Sequence, residues 1–191
     1  MQRGYNIAFV NEFHKNTALS YEMIHGMKVD TTDINDLNFD DIPDCDIMIG
    51  GPPCQSFSLV GKRKPDDPRG KCVFKFLEAG KQKSPTAFVM ENVPGIRSSK
   101  IGDIRLIDFL KKEFKKIGYQ VNEIKMKAIE FGVPQRRERV VLFGSINGLA
   151  VMPNTEVFFD ELGFSKTGYD ISSRAAIGDL GKPVGKRDLA E

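Results

Sequence analysis

A chain of 191 residues fits one domain, or one domain with a short appendage, and can bury a sizeable core. Apolar residues make up 40% of it and charged residues 28%, as in an ordinary soluble globular protein, and a net charge of +2 argues neither for nor against nucleic acid, so local patches must decide. Three cysteines without a CxxC spacing and two histidines make a zinc site an unlikely expectation, and no apolar run approaches the roughly 18 residues that span a bilayer. An odd, low cysteine count without a secretory leader fits a reduced protein, so no membrane, no metal and a cytoplasmic location are expected.

The charge is unevenly spread. Seven aspartates fall between Asp30 and Asp46, whereas basic residues gather at Lys62-Arg63-Lys64, along Lys111 to Lys116, and at Arg136-Arg137 with Arg139. The first apolar run, residues 5–10, reads as a buried strand and leads into Asn11-Glu12-Phe13. Residues 15–25 read as a helix with Ala18, Tyr21, Met23 and Ile24 on its apolar face and Gly26 as its stop. A carboxylate at a strand tip suits ribose hydroxyls, and Glu12 holds such a place; a solvated carboxylate at a helix start is an equal alternative. No GxG or GxGxxG occurs, so either the fold differs from the dinucleotide-binding one or the chain starts after its first strand. Val29 to Asp33 reads as a weak strand, whose Asp33 either meets an adenine amino group or caps the following turn.

Ile47-Met48-Ile49 reads as a short buried strand, and Gly50-Gly51-Pro52-Pro53-Cys54-Gln55-Ser56-Phe57-Ser58 follows it. Two glycines permit close backbone approach, and two prolines fix φ and remove donors. The result is a stiff loop carrying a thiol at the carboxyl end of a strand, where open α/β sheets place ligands. Residues 59–72 read as a polar surface loop and 72–80 as a packed helix through Val73, Phe76 and Leu77. Thr86 to Met90 is another buried strand ending in Glu91-Asn92-Val93-Pro94-Gly95. The clearest helix spans 103–117, capped by Asp103, with Ile107, Leu110, Phe114 and Ile117 on one face. Residues 119–128 alternate as a half-exposed strand does, and 140–143 form a further strand. Between them, Gln135-Arg136-Arg137-Glu138-Arg139 sets three arginines at a strand mouth, which suits phosphate or a polar base edge, or else an ion-pair cluster around Glu138.

Strands alternating with helices predict an α/β fold, a doubly wound and mostly parallel sheet. The loops then bring a thiol (Cys54), a carboxylate (Glu91) and two guanidinium groups (Arg137, Arg139) to one sheet edge. Periodicity fades near Gly148, so the expected division is a core over 1–148 and an extended appendage over 149–191.

Pro52-Pro53-Cys54-Gln55, then Glu91-Asn92-Val93, then Gln135-Arg136-Arg137-Glu138-Arg139 resemble, in that order, the motifs of the DNA (cytosine-5) methyltransferase family. Asn11-Glu12-Phe13, Asp33-Ile34, Asp67-Pro68-Arg69-Gly70 and Phe131-Gly132-Val133-Pro134 resemble its intervening blocks. The likeness covers residues 4–145 closely and Ser173 to Leu180 more loosely. It implies the Rossmann-like fold of S-adenosylmethionine-dependent methyltransferases and methyl transfer to C5 of cytosine in double-stranded DNA, with the target base flipped out. It implies that Cys54 adds to C6, that Glu91 serves N3, that Arg139 holds O2, and that Arg137 supports the site and nearby phosphate. A Glu91 set among apolar strand residues is expected to favour its acid form. Glu12 and Phe13 are implied for the cofactor's ribose and adenine, Asp33 and Ile34 for the adenine pocket, and the Pro53 backbone for the space between cofactor and base. Gln55, Ser58, Asn92 and Gln135 are the remaining implied contacts to substrate.

The family's Phe-x-Gly-x-Gly block, its target-recognition domain and its closing blocks are not found in the 191 residues. The fold is therefore expected to be incomplete at both ends: a truncated polypeptide, a decayed gene, or half of a split enzyme needing a complementary polypeptide. Alternatives are a non-enzymatic remnant that keeps the fold, a tRNA methyltransferase, and a thiol or redox enzyme, which explains Cys54 but neither Glu91 nor the arginines.

Overall fold

A computed structural model describes residues 5–53 and 68–148. They form helices α1 (Lys15–His25), α2 (Pro68–Lys83) and α3 (Leu106–Lys116), and strands β1 (Ile47–Gly50), β2 (Ala87–Asn92), β3 (Lys100–Ile101), β4 (Ile104–Arg105), β5 (Gln120–Lys127) and β6 (Glu138–Ser145). The chain divides into two compact units, Met1–Lys125 with Arg139–Val151, and Met126–Glu138 with Met152–Glu191. The appendage expected from residue 149 lies outside the described residues.

The first unit is built on a four-stranded sheet of order β1-β2-β6-β5. β1 runs parallel to β2, with Gly50 opposite Met90, and β2 runs antiparallel to β6, with Glu91 opposite Val141. The expected α/β architecture is present, and the sheet is mixed. Period-two alternation decides its faces. Phe88, Met90, Val140 and Leu142 point to a buried side, where α2 supplies Val73, Phe76 and Leu77, and α3 supplies Leu106, Ile107, Leu110 and Phe114. Phe88 stacks on Phe114 at 4.0 Å between ring centroids, and Phe76 meets both rings edge-on. Each ring buried this fully contributes about 1.5–3 kcal/mol. Tyr119 joins the cluster and donates its hydroxyl to the Pro85 carbonyl. Gly144 makes this packing possible: a Cβ there would fall 2.0 Å from the Phe88 ring.

Several expected boundaries move. α2 starts at Pro68, because proline is tolerated in the first turn where no N–H partner is needed, so residues 68–72 are helical rather than loop. α3 starts at Leu106 with Arg105 at the cap; Asp103 sits instead in the turn joining β3 to β4, which Gly102 closes at φ +57°. The expected strand over residues 5–10 does not form. One parallel bridge, Asn11 to Asp30, joins that segment to residues 29–30, and Tyr5 and Ile7 are exposed. Among the described residues this pairing has no third neighbour, and two paired segments alone lack the apolar face that stabilises a sheet. α1 has its expected limits and its left-handed Gly26 stop, yet only Ala18 is buried, and Met23 is 87% exposed.

The described part of the second unit is a loop. A single 3-10 turn, Ala128–Phe131, ends at left-handed Gly132, and the Ala128 N–H donates to the Arg137 carbonyl at 2.8 Å, closing the segment.

Candidate active site

β1 and β2 are parallel, so both end at the same sheet edge, and antiparallel β6 begins there. This topology brings Gly51-Pro52, Glu91 and Arg139 together. Glu91 and Arg139 lie on the face opposite the core, as a diagonal cross-strand pair two residues from register. Arg139 Nε stands 2.5 Å from Glu91 Oε1, with the two side chains 24% and 41% exposed respectively. The Glu91 carboxylate is thus engaged by a guanidinium in a partly open setting, not held among apolar strand residues as expected from sequence. The physical reason is the pleat: Phe88, Met90 and Asn92 take the buried side, and residue 91 is turned away from it.

Asn92, expected to touch substrate, is 4% exposed. Its Nδ2 donates to the Pro52 carbonyl at 2.9 Å, and its Oδ1 accepts from the Val93 N–H at 2.9 Å. Gly51 lies directly against the carboxylate, since a Cβ there would be 3.2 Å from Glu91 Oε2. Sequence reasoning missed this latch, although the alternation Phe88-Met90-Asn92 already turns the carboxamide inward, where it needs partners. Pro53 is exposed, at the end of the described loop. Cys54, Gln55 and Ser58 lie outside the described residues.

Gln135 and Arg137 are exposed in the second unit. The Gln135 carbonyl accepts from the Arg137 N–H at 2.9 Å, and the Gln135 N–H donates to the Val133 carbonyl at 2.7 Å.

Four of the five residues expected at the cofactor, all but Pro53, gather around the Asn11–Asp30 bridge. Because that pairing is parallel, Glu12-Phe13 and Asp33-Ile34 follow it in the same direction. Asn11 Nδ2 ties the two segments by donating to the carbonyls of Asp30 (3.1 Å) and Thr32 (2.8 Å). Glu12 Oε1 accepts from the His14 N–H at 2.8 Å, and Asp33 Oδ1 accepts from the Asn35 N–H and Nδ2 at 2.9 and 2.7 Å. In each carboxylate it is the first oxygen that these local bonds use, so the capping alternative for Asp33 is realised without consuming its second oxygen. Phe13 is 58% exposed and its ring meets that of His14 in a T-shaped contact at 5.7 Å between centroids. Two carboxylates and an aromatic face suit a nucleoside: hydroxyl and amino donors on one side, a flat base on the other. The donor set fits the adenosine part of S-adenosylmethionine. Among the described residues no cluster of three or more His, Cys, Asp or Glu could hold a metal, and no helix is long and apolar enough to cross a membrane.

The family model for C-5 cytosine-specific DNA methylase matches residues 1–180. The chain belongs to the C-5 cytosine-specific DNA methylase family, as the three motifs led one to expect. It is 38% identical over 183 residues to the Type II methyltransferase M.MthTI of Methanothermobacter thermautotrophicus, covering 94% of this chain and 52% of that protein. It is 36% identical over 176 residues to M.BsuFI of Bacillus subtilis, covering 87% and 42%. The chain spans about half, or less, of the length of these curated relatives. Among solved structures, a putative DNA modification methyltransferase encoded within an E. coli prophage superposes with a TM-score of 0.70 at 23% identity, covering 95% of this chain and 50% of that one. The S. pombe Dnmt2 methyltransferase gives 0.68 at 22% identity, covering 88% and 52%. At such identities these two likenesses concern the fold.

Proposed function

We propose that this chain carries the catalytic portion, within residues 1–148, of an enzyme that methylates C5 of cytosine in double-stranded DNA. The observation that carries the proposal is the Glu91–Arg139 pair, set against Gly51 at the sheet edge where the Pro-Pro-Cys loop departs. Carbon C5 of cytosine is a poor nucleophile. Addition of the Cys54 thiolate to C6 makes C5 enamine-like, and the electron density pushed into the ring needs a partner at N3. Glu91 serves N3 and Arg139 serves O2 once a flipped cytosine enters between them, so their mutual ion pair is a resting arrangement that the base exchanges for its own contacts. Loss of the C5 proton and expulsion of Cys54 then restore the aromatic ring. Arg137, exposed two residues earlier, is assigned to site support and phosphate, and Gln55, Ser58 and Gln135 to DNA. S-adenosylmethionine, when bound, supplies an electrophilic methyl group. Glu12 would hold its ribose hydroxyls, Phe13 would lie on its adenine, Asp33 and Ile34 would close the adenine pocket, and Pro53 would line the gap toward the base.

The test is trapping. With fluorocytosine-containing duplex DNA and S-adenosylmethionine, the chain should form a covalent adduct that Cys54→Ser abolishes. Lack of both adduct and cofactor binding under every condition, including added complementary polypeptide, would sink the proposal. An RNA substrate predicts preferential trapping on fluorocytosine tRNA instead.

A second reading, a fold-keeping subunit of a split methyltransferase, is favoured by one observation. Ile47 and Ile49 lie on the open face of edge strand β1, with Ile49 75% exposed. Such a surface suits a complementary polypeptide that adds to the sheet. Adduct formation only after that polypeptide is supplied distinguishes it.

A further inference from the structure

We propose that a groove formed by the C-terminal half of α3 and the start of β5 is a second contact for duplex DNA, with Lys112 and Lys115 on its backbone phosphates. That the polyanion is DNA rests on the methyltransferase function proposed above. Lys111, Lys112, Lys115, Tyr119, Gln120 and Val121 line the groove, whose volume is about 620 Å³. Tyr119 is 3% exposed and Val121 packs against the core, while Lys112, Lys115 and Gln120 are open to solvent. Three lysines and no carboxylate thus share one cleft. The groove is remote from the edge that holds Glu91 and Arg139. Neighbouring strands β5 and β6 are joined by residues 128–137, closed by the bond between the Ala128 N–H and the Arg137 carbonyl, so Gln120 starts β5 at the end of the sheet opposite Arg139. Eight residues of strand put about 25 Å between them.

The charge of this groove is not neutralised by its own elements. α3 and β5 carry three acidic residues, Asp108, Glu113 and Glu123, and each is engaged elsewhere. Asp108 accepts from Arg105 Nε at 2.7 Å and Nη2 at 3.1 Å. Glu113 takes Lys116 at 2.5 Å and Lys81 at 2.9 Å, and Glu123 takes Arg97 at 2.6 Å and Lys111 at 2.8 Å. Lys112 and Lys115 have no hydrogen-bond or ion-pair partner among the described residues. On α2, by contrast, Lys75 pairs with Glu78 and Lys83 with Asp44. The helix macrodipole favours cations in the last turn, which accounts for Lys115 and Lys116 but not for Lys112 before it. Residues three apart on a helix face the same way, with Cβ atoms about 5–6 Å apart. Duplex DNA carries one negative charge per about 1.7 Å of axis, so this pair can serve more than one phosphate. The Gln120 side chain beside them adds a donor of the kind that phosphate oxygens accept.

The experiment measures binding of the 191-residue chain to a fluorescein-labelled duplex of about 30 base pairs, about 100 Å long, by anisotropy between about 50 and 200 mM salt. Wild type is compared with Lys112→Gln/Lys115→Gln. Each lost phosphate contact lowers the slope of log K against log salt by about 0.9, so the double variant should lose about two from the slope, equally on duplexes of different sequence. Lys75→Gln/Lys83→Gln makes the same change in net charge at lysines that are already paired, and its slope should match wild type. A Lys112/Lys115 variant with the wild-type slope overturns the proposal. So does an equal fall in the control, which reports net charge alone. Wild type that binds no duplex at about 50 mM salt overturns it as well. Polyglutamate is the second probe: if it binds wild type through Lys112 and Lys115 while the DNA slope is unchanged, the groove fits an acidic protein and the DNA assignment falls. Fluorocytosine trapping separates the groove from the methyl transfer. If the slope responds but wild type forms no adduct, the groove stands and the methyltransferase function fails. If wild type forms adduct and the slope does not respond, the function stands and the groove fails.

Discussion

The roles proposed for Arg139 and Glu91 ask little of their ion pair for stability and much for chemistry. Both side chains are partly open to solvent, 24% and 41%, so screening and side-chain entropy leave such a pair worth about 0–1 kcal/mol. Arg139→Ala is therefore expected to lower the unfolding free energy, read by urea titration, by no more than that amount, while fluorocytosine trapping falls by orders of magnitude. A large stability loss with trapping intact would invert the assignment. Glu113 makes a different residue-scale prediction. Hydrogen bonds from Lys116 first and Lys81 second hold its carboxyl down, from 4.5 to about 2. A depressed carboxyl contributes stability above its unfolded value and loses it as pH falls through the folded value. Chemical denaturation between pH 4.5 and 2 should thus show wild-type stability declining more steeply than that of Glu113→Gln.

At the scale of elements, the connection from α2 to β2 carries a strained residue. Ser84 has φ +45°, its N–H donates to the Gly80 carbonyl, and its hydroxyl donates to Lys81 O, a helix stop in the conformation usually given to glycine. Ser84→Gly should raise stability by up to about 1 kcal/mol, read as a higher melting temperature, because relief of strain outweighs one exposed hydrogen bond. β6 carries the opposite case. Gly144→Ala would drive a methyl into the Phe88 ring, and the stacked Phe88–Phe114 pair has no space to yield. A loss of about 1–3 kcal/mol or more is expected in equilibrium unfolding. Elements with strong internal periodicity were legible in the sequence. Leu110 and Phe114 are four residues apart, and α3 buries both. The start of α3 was not legible, because Asp103 is an equally good turn residue, and pairing of β3 with β4 claimed it. Residues 5–10 have a strand composition, but a strand exists only with neighbours, and one bridge is what the fold provides.

At the scale of the molecule, apolar residues left on the surface decide behaviour in solution. Ile47 and Ile49 stand on the outer face of edge strand β1, and Met23 and Ile24 project from α1. Replacing Ile49 by Thr should change folding stability by less than about 0.5 kcal/mol, since the side chain is already exposed, while lowering self-association in sedimentation velocity. If the variant instead unfolds, that face is part of the core. The sequence by itself determined the family and the α/β class and put Glu91 and Arg139 forward as candidates, because these depend on residue types in order and on local periodicity. Only the tertiary structure decided which neighbours those residues have. A pleat puts Glu91 outward onto Arg139 and Asn92 inward onto the Pro52 carbonyl, and an antiparallel β6 returns Arg139 to the edge where β1 ends. Strand direction and register are long-range choices, and no spacing within a single segment encodes them.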